Sequence, residues 1–151
     1  MPNSAAIAVA LLLMTGQATA YDLQQHLWRH RLLFLIAPAS DDPQMIAQGN
    51  SVQARRDAIL DRDLHVFALS TTGGSVDGRA LPADSVRDLR EQLDVGDAER
   101  LLILVGKDGG VKRRAPLDSS LREIFLQIDQ MPMRRDEMRA KEAAGMTVTE
   151  P

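Results

Sequence analysis

Two kinds of hydrophobic run punctuate this chain. The first kind is continuous: Leu32-Leu33-Phe34-Leu35-Ile36-Ala37, Leu64-His65-Val66-Phe67-Ala68-Leu69 and Leu101-Leu102-Ile103-Leu104-Val105. Short unbroken apolar runs predict strands covered on both faces. The second kind is spaced. Val86, Leu89 and Leu93 mark one face of a helix, and Leu121, Ile124, Phe125 and Ile128 mark a stronger stripe on another. Ser40-Asp41-Asp42-Pro43 opens a helix predicted to run to about Leu60, because a capping residue followed by proline sets a first turn. Asp61-Arg62-Asp63 breaks it. Ser70 to Pro82, with Gly73-Gly74 and Gly78, reads as loop. Asp108-Gly109-Gly110 is a tight turn leading into Val111–Arg114, a short strand charged enough for a sheet edge. Ser120 and Glu123 have the spacing of a capping box at the start of the last helix. The order is β-α-β-α-β-β-α. It predicts a three-layer α/β/α sandwich made of two βαβ crossovers, a hairpin and a covering helix.

The N-terminus follows a different pattern. Ala5 to Met14 is apolar throughout and is followed by Ala18-Thr19-Ala20, a small-x-small triplet. This reads as a secretory signal peptide over residues 1–20, although Met1-Pro2-Asn3-Ser4 carries no Lys or Arg. Export to the periplasm or beyond is therefore expected, with a folded domain over 21–138 and a flexible tail over 139–151. No later segment has the length of apolar sequence a membrane span needs.

Composition narrows the chemistry. With 151 residues, one domain is expected. A net charge of −3 argues against a nucleic-acid binder, and 3 % aromatic residues supply little for stacking platforms. There is no cysteine, which removes disulfide exchange, thiol peroxidase chemistry, cysteine nucleophiles and Cys-ligated zinc.

Several stretches carry a resemblance: Trp28-Arg29-His30-Arg31-Leu32-Leu33-Phe34 into Ala37-Pro38, Ser40-Asp41-Asp42-Pro43, Val105-Gly106-Lys107-Asp108-Gly109-Gly110-Val111-Lys112, and Met131-Pro132-Met133-Arg134-Arg135-Asp136-Glu137-Met138. With them the chain resembles a thioredoxin-like domain-of-unknown-function family of small exported bacterial proteins. That domain is shared with sushi-repeat-containing and equarin-type extracellular matrix proteins. The resemblance implies a thioredoxin-like fold more firmly than any function, and oxidoreductase activity does not carry over with it. Where redox members carry Cys-x-x-Cys this chain has Ala39-Ser40-Asp41-Asp42-Pro43, and no proline stands in Gly96-Asp97-Ala98-Glu99-Arg100 ahead of Leu101, where those members keep a cis-proline.

Four groups of residues are candidates for function. Ser40, Asp41 and Asp42 lie at the carboxyl end of a central strand, where two carboxylates can hold a divalent cation or supply a base. Helix capping accounts for the same residue types and is preferred. Arg134 and Arg135, with Glu137, can grip an anionic group on a partner, with Arg113 and Arg114 as further members of a basic patch. The other reading is an internal ion pair that pins the tail. The partner reading expects the Arg134/Arg135 double alanine variant to fold normally. His26 and His30 lie one helical turn apart, a spacing that can hold a metal, but the sequence offers no clear third ligand and an exposed pair is preferred. His65, in mid-strand, reads as a packed residue. The expectation is a redox-inactive, non-catalytic binding module with no metal or cofactor, using a protein or envelope polymer as partner. The alternative is a cysteine-independent enzyme, a metal-assisted hydrolase working through Asp41 or Asp42.

Overall fold

The computed structural model describes residues 20–151, so the signal-peptide expectation lies outside the described residues. Among the described residues six strands, β1 (Arg31–Ile36), β2 (Leu64–Leu69), β3 (Gly74–Val76), β4 (Arg79–Ala80), β5 (Leu101–Val105) and β6 (Val111–Pro116), form one sheet in the order β4-β3-β2-β1-β5-β6. The two central strands, β1 (Arg31–Ile36) and β2 (Leu64–Leu69), are parallel and register Arg31 on Leu64 through Ile36 on Leu69. β5 (Leu101–Val105) runs antiparallel to β1 on its other side, and β6 (Val111–Pro116) closes that edge. Only the first connection is therefore a βαβ crossover. The second, through α3 (Ala83–Gln92), returns the chain in the opposite direction, which corrects the expectation of two crossovers.

Alternation along the buried strands explains the layers. Leu33, Leu35, Leu64, Val66, Leu102 and Leu104 face one side. There they pack with residues of α1 (Pro43–Ala54), α2 (Arg56–Asp61) and α4 (Leu121–Asp129). Leu32, Phe34, Ile36, Phe67, Leu69, Ile103 and Val105 face the other side, under Val86, Leu89 and Leu93. Both faces of the sheet are thus covered, as continuous apolar strands require.

Three local expectations are revised. The first long helix is two: the backbone leaves helical geometry at Arg55, with φ −117° and ψ 29°. The Ser70–Pro82 segment contains a hairpin of β3 (Gly74–Val76) and β4 (Arg79–Ala80). Its turn, Asp77-Gly78, holds both residues at positive φ (48° and 79°), as the tight hairpin turn demands. Gly74 is needed in β3 because a Cβ there would come within 2.8 Å of the Ala68 carbonyl oxygen. The capping box does not form. Ser120 stands at the N-cap without a side-chain bond, and Glu123 reaches Arg113 instead, at 2.9 Å.

Helical structure continues past Met138. A fifth helix, α5 (Pro132–Ala143), contains most of the distinctive Met-Arg-Arg segment. Beyond it Thr149 is bonded to Arg62 and Asp61. Among the described residues no helix is long and apolar enough to cross a membrane.

Candidate functional site

At the carboxyl end of β1, the structure gives one of the two aspartates, Asp42, a structural task. Asp42 is the N-cap of α1: its side chain accepts from the Gln44 N–H at 2.9 Å and from Arg100 at 2.8 Å. Desolvation pushes its carboxyl up, but the Arg100 guanidinium and the Gln44 N–H outweigh that and hold it below the usual carboxylate range. A carboxylate so committed is a poor general base. Ser40 and Asp41 are exposed beside it.

The opposite end of the sheet holds a buried ion network that the Arg134-Arg135-Asp136-Glu137 segment completes. Arg134 is fully buried. It donates to Asp61 at 2.5 Å, to the Asp61 carbonyl at 2.7 Å and to Asp129 at 3.0 Å. Arg62, equally buried, forms a two-pronged pair with Asp129 at 3.0 and 2.6 Å. Glu137 receives both prongs of Arg31 at 3.1 Å and the Lys107 ammonium at 2.7 Å. Lys141 joins Asp61. Burial pushes the Asp61 carboxyl up, and the Lys141 and Arg134 hydrogen bonds more than reverse it. Of the two arginines read as partner-binding, Arg134 is thus internal and out of reach of any partner, while Arg135 is exposed. The basic patch with the edge strand does not assemble either. Arg113 is paired with Glu123, and Arg114 donates to the carbonyls of Leu93 and Asp94.

Near the same end, three imidazoles meet. His26 closes a short 3-10 turn (Leu23–His26), His30 immediately precedes β1, and His65 is the second residue of β2. Ring centroids lie 5.2 Å apart for His26 and His30, 5.0 Å for His26 and His65, and 4.3 Å for His30 and His65. The turn between His26 and His30 is tight. Trp28 takes φ 62°, and the N–H groups of Arg29 and His30 both donate to the His26 carbonyl. His65 lies on the sheet face of Phe67 and Leu69 and registers against Leu32. His65 thus supplies the third imidazole that the sequence did not reveal.

Two further groups hold the rings. The Tyr21 hydroxyl is 2.8 Å from Nε2 of His26, and Asp77 is bonded to Nδ1 of His65. Asp77 also accepts from the Val66 N–H at 2.9 Å, so the hairpin turn fixes its carboxylate against β2. His26 is buried, and its pKa is lowered to about 4, first by desolvation and then by His65 and His30. Desolvation and His65 lower His30 as well, against the pull of Asp63.

This predicts an acid-sensitive fold. Between about pH 4 and 6.5 the unfolded chain binds more protons at His26 than the folded one does, so stability rises with pH across that window. The contribution is complete above pH 6.5 and lost by about pH 4. After discounting for solvent screening it is expected to be about 2 kcal/mol. Urea unfolding of metal-free protein at pH 7 and pH 4.5 measures it, with His26→Gln flattening the difference.

The sheet order, the two helical layers and the lack of any thiol define a cysteine-free protein of thioredoxin-like fold. More narrowly, the chain belongs to the family described as Domain of unknown function (DUF4174), whose model matches residues 22–137. It is 31 % identical over 145 residues to coiled-coil domain-containing protein 80 of Danio rerio, covering 85 % of this chain and 17 % of that one. The chain therefore spans about a sixth of that relative. Among solved structures it is similar to the reduced 2-Cys peroxiredoxin of Plasmodium vivax, with a TM-score of 0.57 and 16 % identity over 82 % of this chain and 72 % of that one. The mitochondrial 2-Cys peroxiredoxin of Plasmodium falciparum is similar too, with a TM-score of 0.52 and 16 % identity over 85 % and 87 %. At this identity the likeness is one of fold, and this chain has no cysteine thiol.

Proposed function

We propose that this chain is a redox-inactive, non-catalytic binding module that works outside the cytoplasm and docks a protein partner through the face around Trp28. The observation that carries the reading is Trp28 itself. It is the chain's one tryptophan, it is 66 % exposed, and its backbone sits in the left-handed region. Holding a non-glycine residue there costs about 1–3 kcal/mol, and such strain gathers where a side chain must be presented. The Trp28 N–H is tied to the Lys107 carbonyl at 2.6 Å, so the ring is displayed from a fixed base. It borders an open cleft of about 520 Å³ whose other walls include Met131, Met133, Gln127, Gln130 and Lys112. Met133 is itself 40 % exposed. An aromatic and methionine centre with an amide and charged rim has the composition of a protein-docking surface. Export rests on the apolar run and small-x-small triplet before Tyr21. The committed state of Asp42 weighs against the hydrolase alternative.

The test uses glycine at this position. Glycine adopts φ 62° without strain, so Trp28→Gly is expected to keep or slightly raise the melting temperature while abolishing partner crosslinking in the native envelope. Crosslinked species that survive unchanged in Trp28→Gly, or retention on an envelope polysaccharide in place of protein, overturn the reading.

A further inference from the structure

We infer that His26, His30 and His65 form a binding site for one divalent transition-metal ion of the kind that prefers imidazole, zinc or copper. The inference is independent of the docking face. One ring nitrogen from each histidine lies within 4.8 Å of one from each of the other two. Tetrahedral zinc with Zn–N bonds of about 2.0–2.1 Å sets its nitrogens about 3.4 Å apart. The two Nδ1 atoms of His26 and His30 are already 3.1 Å apart. The remaining adjustment falls on His65, whose side chain is 32 % exposed.

The surroundings match what a metal-binding histidine needs. A ligating imidazole usually gives its other nitrogen to a carboxylate or a comparable oxygen, which fixes the tautomer and raises ligand basicity. Asp77 does this for Nδ1 of His65 and leaves Nε2 as the donor. The Tyr21 hydroxyl does the same at Nε2 of His26 and leaves Nδ1. Neighbouring charge is mixed: Asp22, Asp63 and Asp77 favour a cation here, while Arg29 and Lys107 oppose it. The donor set is three nitrogens with no thiolate and no cluster of carboxylates, which selects against calcium and magnesium. His30 and His65 also line an open cleft of about 690 Å³, so a fourth coordination position is accessible to water or to a donor from outside. This is the three-ligand, open-site arrangement rather than a closed structural one.

There is also a reason for the three rings to meet. Their ring centroids lie only 4.3–5.2 Å apart, and His26 is buried. An ion bound by all three nitrogens ties the N-terminal turn to β2, elements that lie far apart in sequence.

Untagged, chelator-stripped protein titrated with zinc chloride at pH 7.5 tests the site. One equivalent is expected to bind, with the melting temperature rising by several degrees. Cobalt(II) in place of zinc is expected to give the intense visible bands of a low-coordinate site. His30→Gln and His65→Gln, both at partly exposed positions, are expected to weaken zinc binding about 100-fold, and Asp77→Asn about 10–100-fold. In the wild-type protein, the imidazole NMR resonances of all three histidines should shift together on addition of one equivalent. No binding at micromolar zinc, unchanged affinity in His65→Gln, or a shift confined to one or two histidines each overturns the inference. The NMR arm needs no variant, so a misfolded mutant cannot obscure the answer.

Discussion

Arg134→Ala is expected to destabilise the domain by about 3–5 kcal/mol, because it breaks a buried ion pair from one side. Typical domains have only about 5–15 kcal/mol in total. The guanidinium is fully buried and spends its donors on Asp61, the Asp61 carbonyl and Asp129. Removing it opens a cavity the size of an arginine side chain. It also strips both carboxylates of a partner, although Lys141 still serves Asp61 and Arg62 still serves Asp129. Its neighbour provides the control. Arg135 is exposed, and Arg135→Ala should stay within about 0.5 kcal/mol of the parent. Urea midpoints of the two variants measure the contrast, and similar midpoints would remove the network from the account of stability. The double alanine variant, expected from sequence to fold normally, should follow Arg134→Ala.

The adjacent arginines show where sequence reading stops. Two guanidiniums side by side in a charged segment look alike in sequence, and a partner's anion and an internal carboxylate are equally good matches for either. Helical geometry separates them. On α5, Arg134 faces the domain with Glu137 one turn later, while Arg135 points to solvent. Of the carboxylates Arg134 answers to, Asp129 stands five residues earlier at the end of α4, but Asp61 lies 73 residues away and reaches α5 only through the packing of α2. The strands were easier. Their apolarity is continuous, and a run that must be covered on both faces has few places to go, so β1, β2 and β5 were legible to within a residue.

The histidine cluster failed to show for a related reason. His26 and His30 were visible as a pair, but the third ring arrives through the parallel pairing of β1 with β2, a contact with no local signature. One local signal lies in the Ser70–Pro82 segment. Asp77-Gly78 is a strong hairpin dipeptide; the hairpin it makes pairs β3 with β4, and β3 pairs in turn with β2, Val76 opposite Phe67. That register brings Asp77 to the Val66 N–H and to His65. The turn alone predicts the hairpin, and the contact of Asp77 with His65 needs the further pairing of β3 with β2. The same packing explains why this site lies away from the usual one. At the carboxyl end of β1 the fold has spent its acidic residue on capping and on Arg100. The three imidazoles and the buried arginines Arg31, Arg62 and Arg134 collect where β1 and β2 begin.

Phe125→Ala is the second large effect expected, at about 3–5 kcal/mol. The ring is completely buried on the helical face of the sheet, among the side chains of the cluster that also holds Leu33, Leu35 and Leu104. It also lies beneath a charge: the Arg62 guanidinium carbon is 4.8 Å from the ring centroid. Truncation therefore does two things. It leaves a cavity that rigid strands on one side cannot collapse into, and it removes the flat surface on which the buried guanidinium rests. The Asp129 pair and the carbonyls of Ala58 and Thr149 still hold Arg62. Phe125→Leu separates the two contributions, since it keeps most of the volume and none of the quadrupole. If packing dominates, Phe125→Leu should recover more than half of the loss in urea unfolding. A loss from Phe125→Leu as large as that from Phe125→Ala would mean that the ring acts chiefly as a platform for Arg62. The apolar core and the ion network would then behave as one cooperative unit, and the substitutions at Arg134 and Phe125 would not be additive.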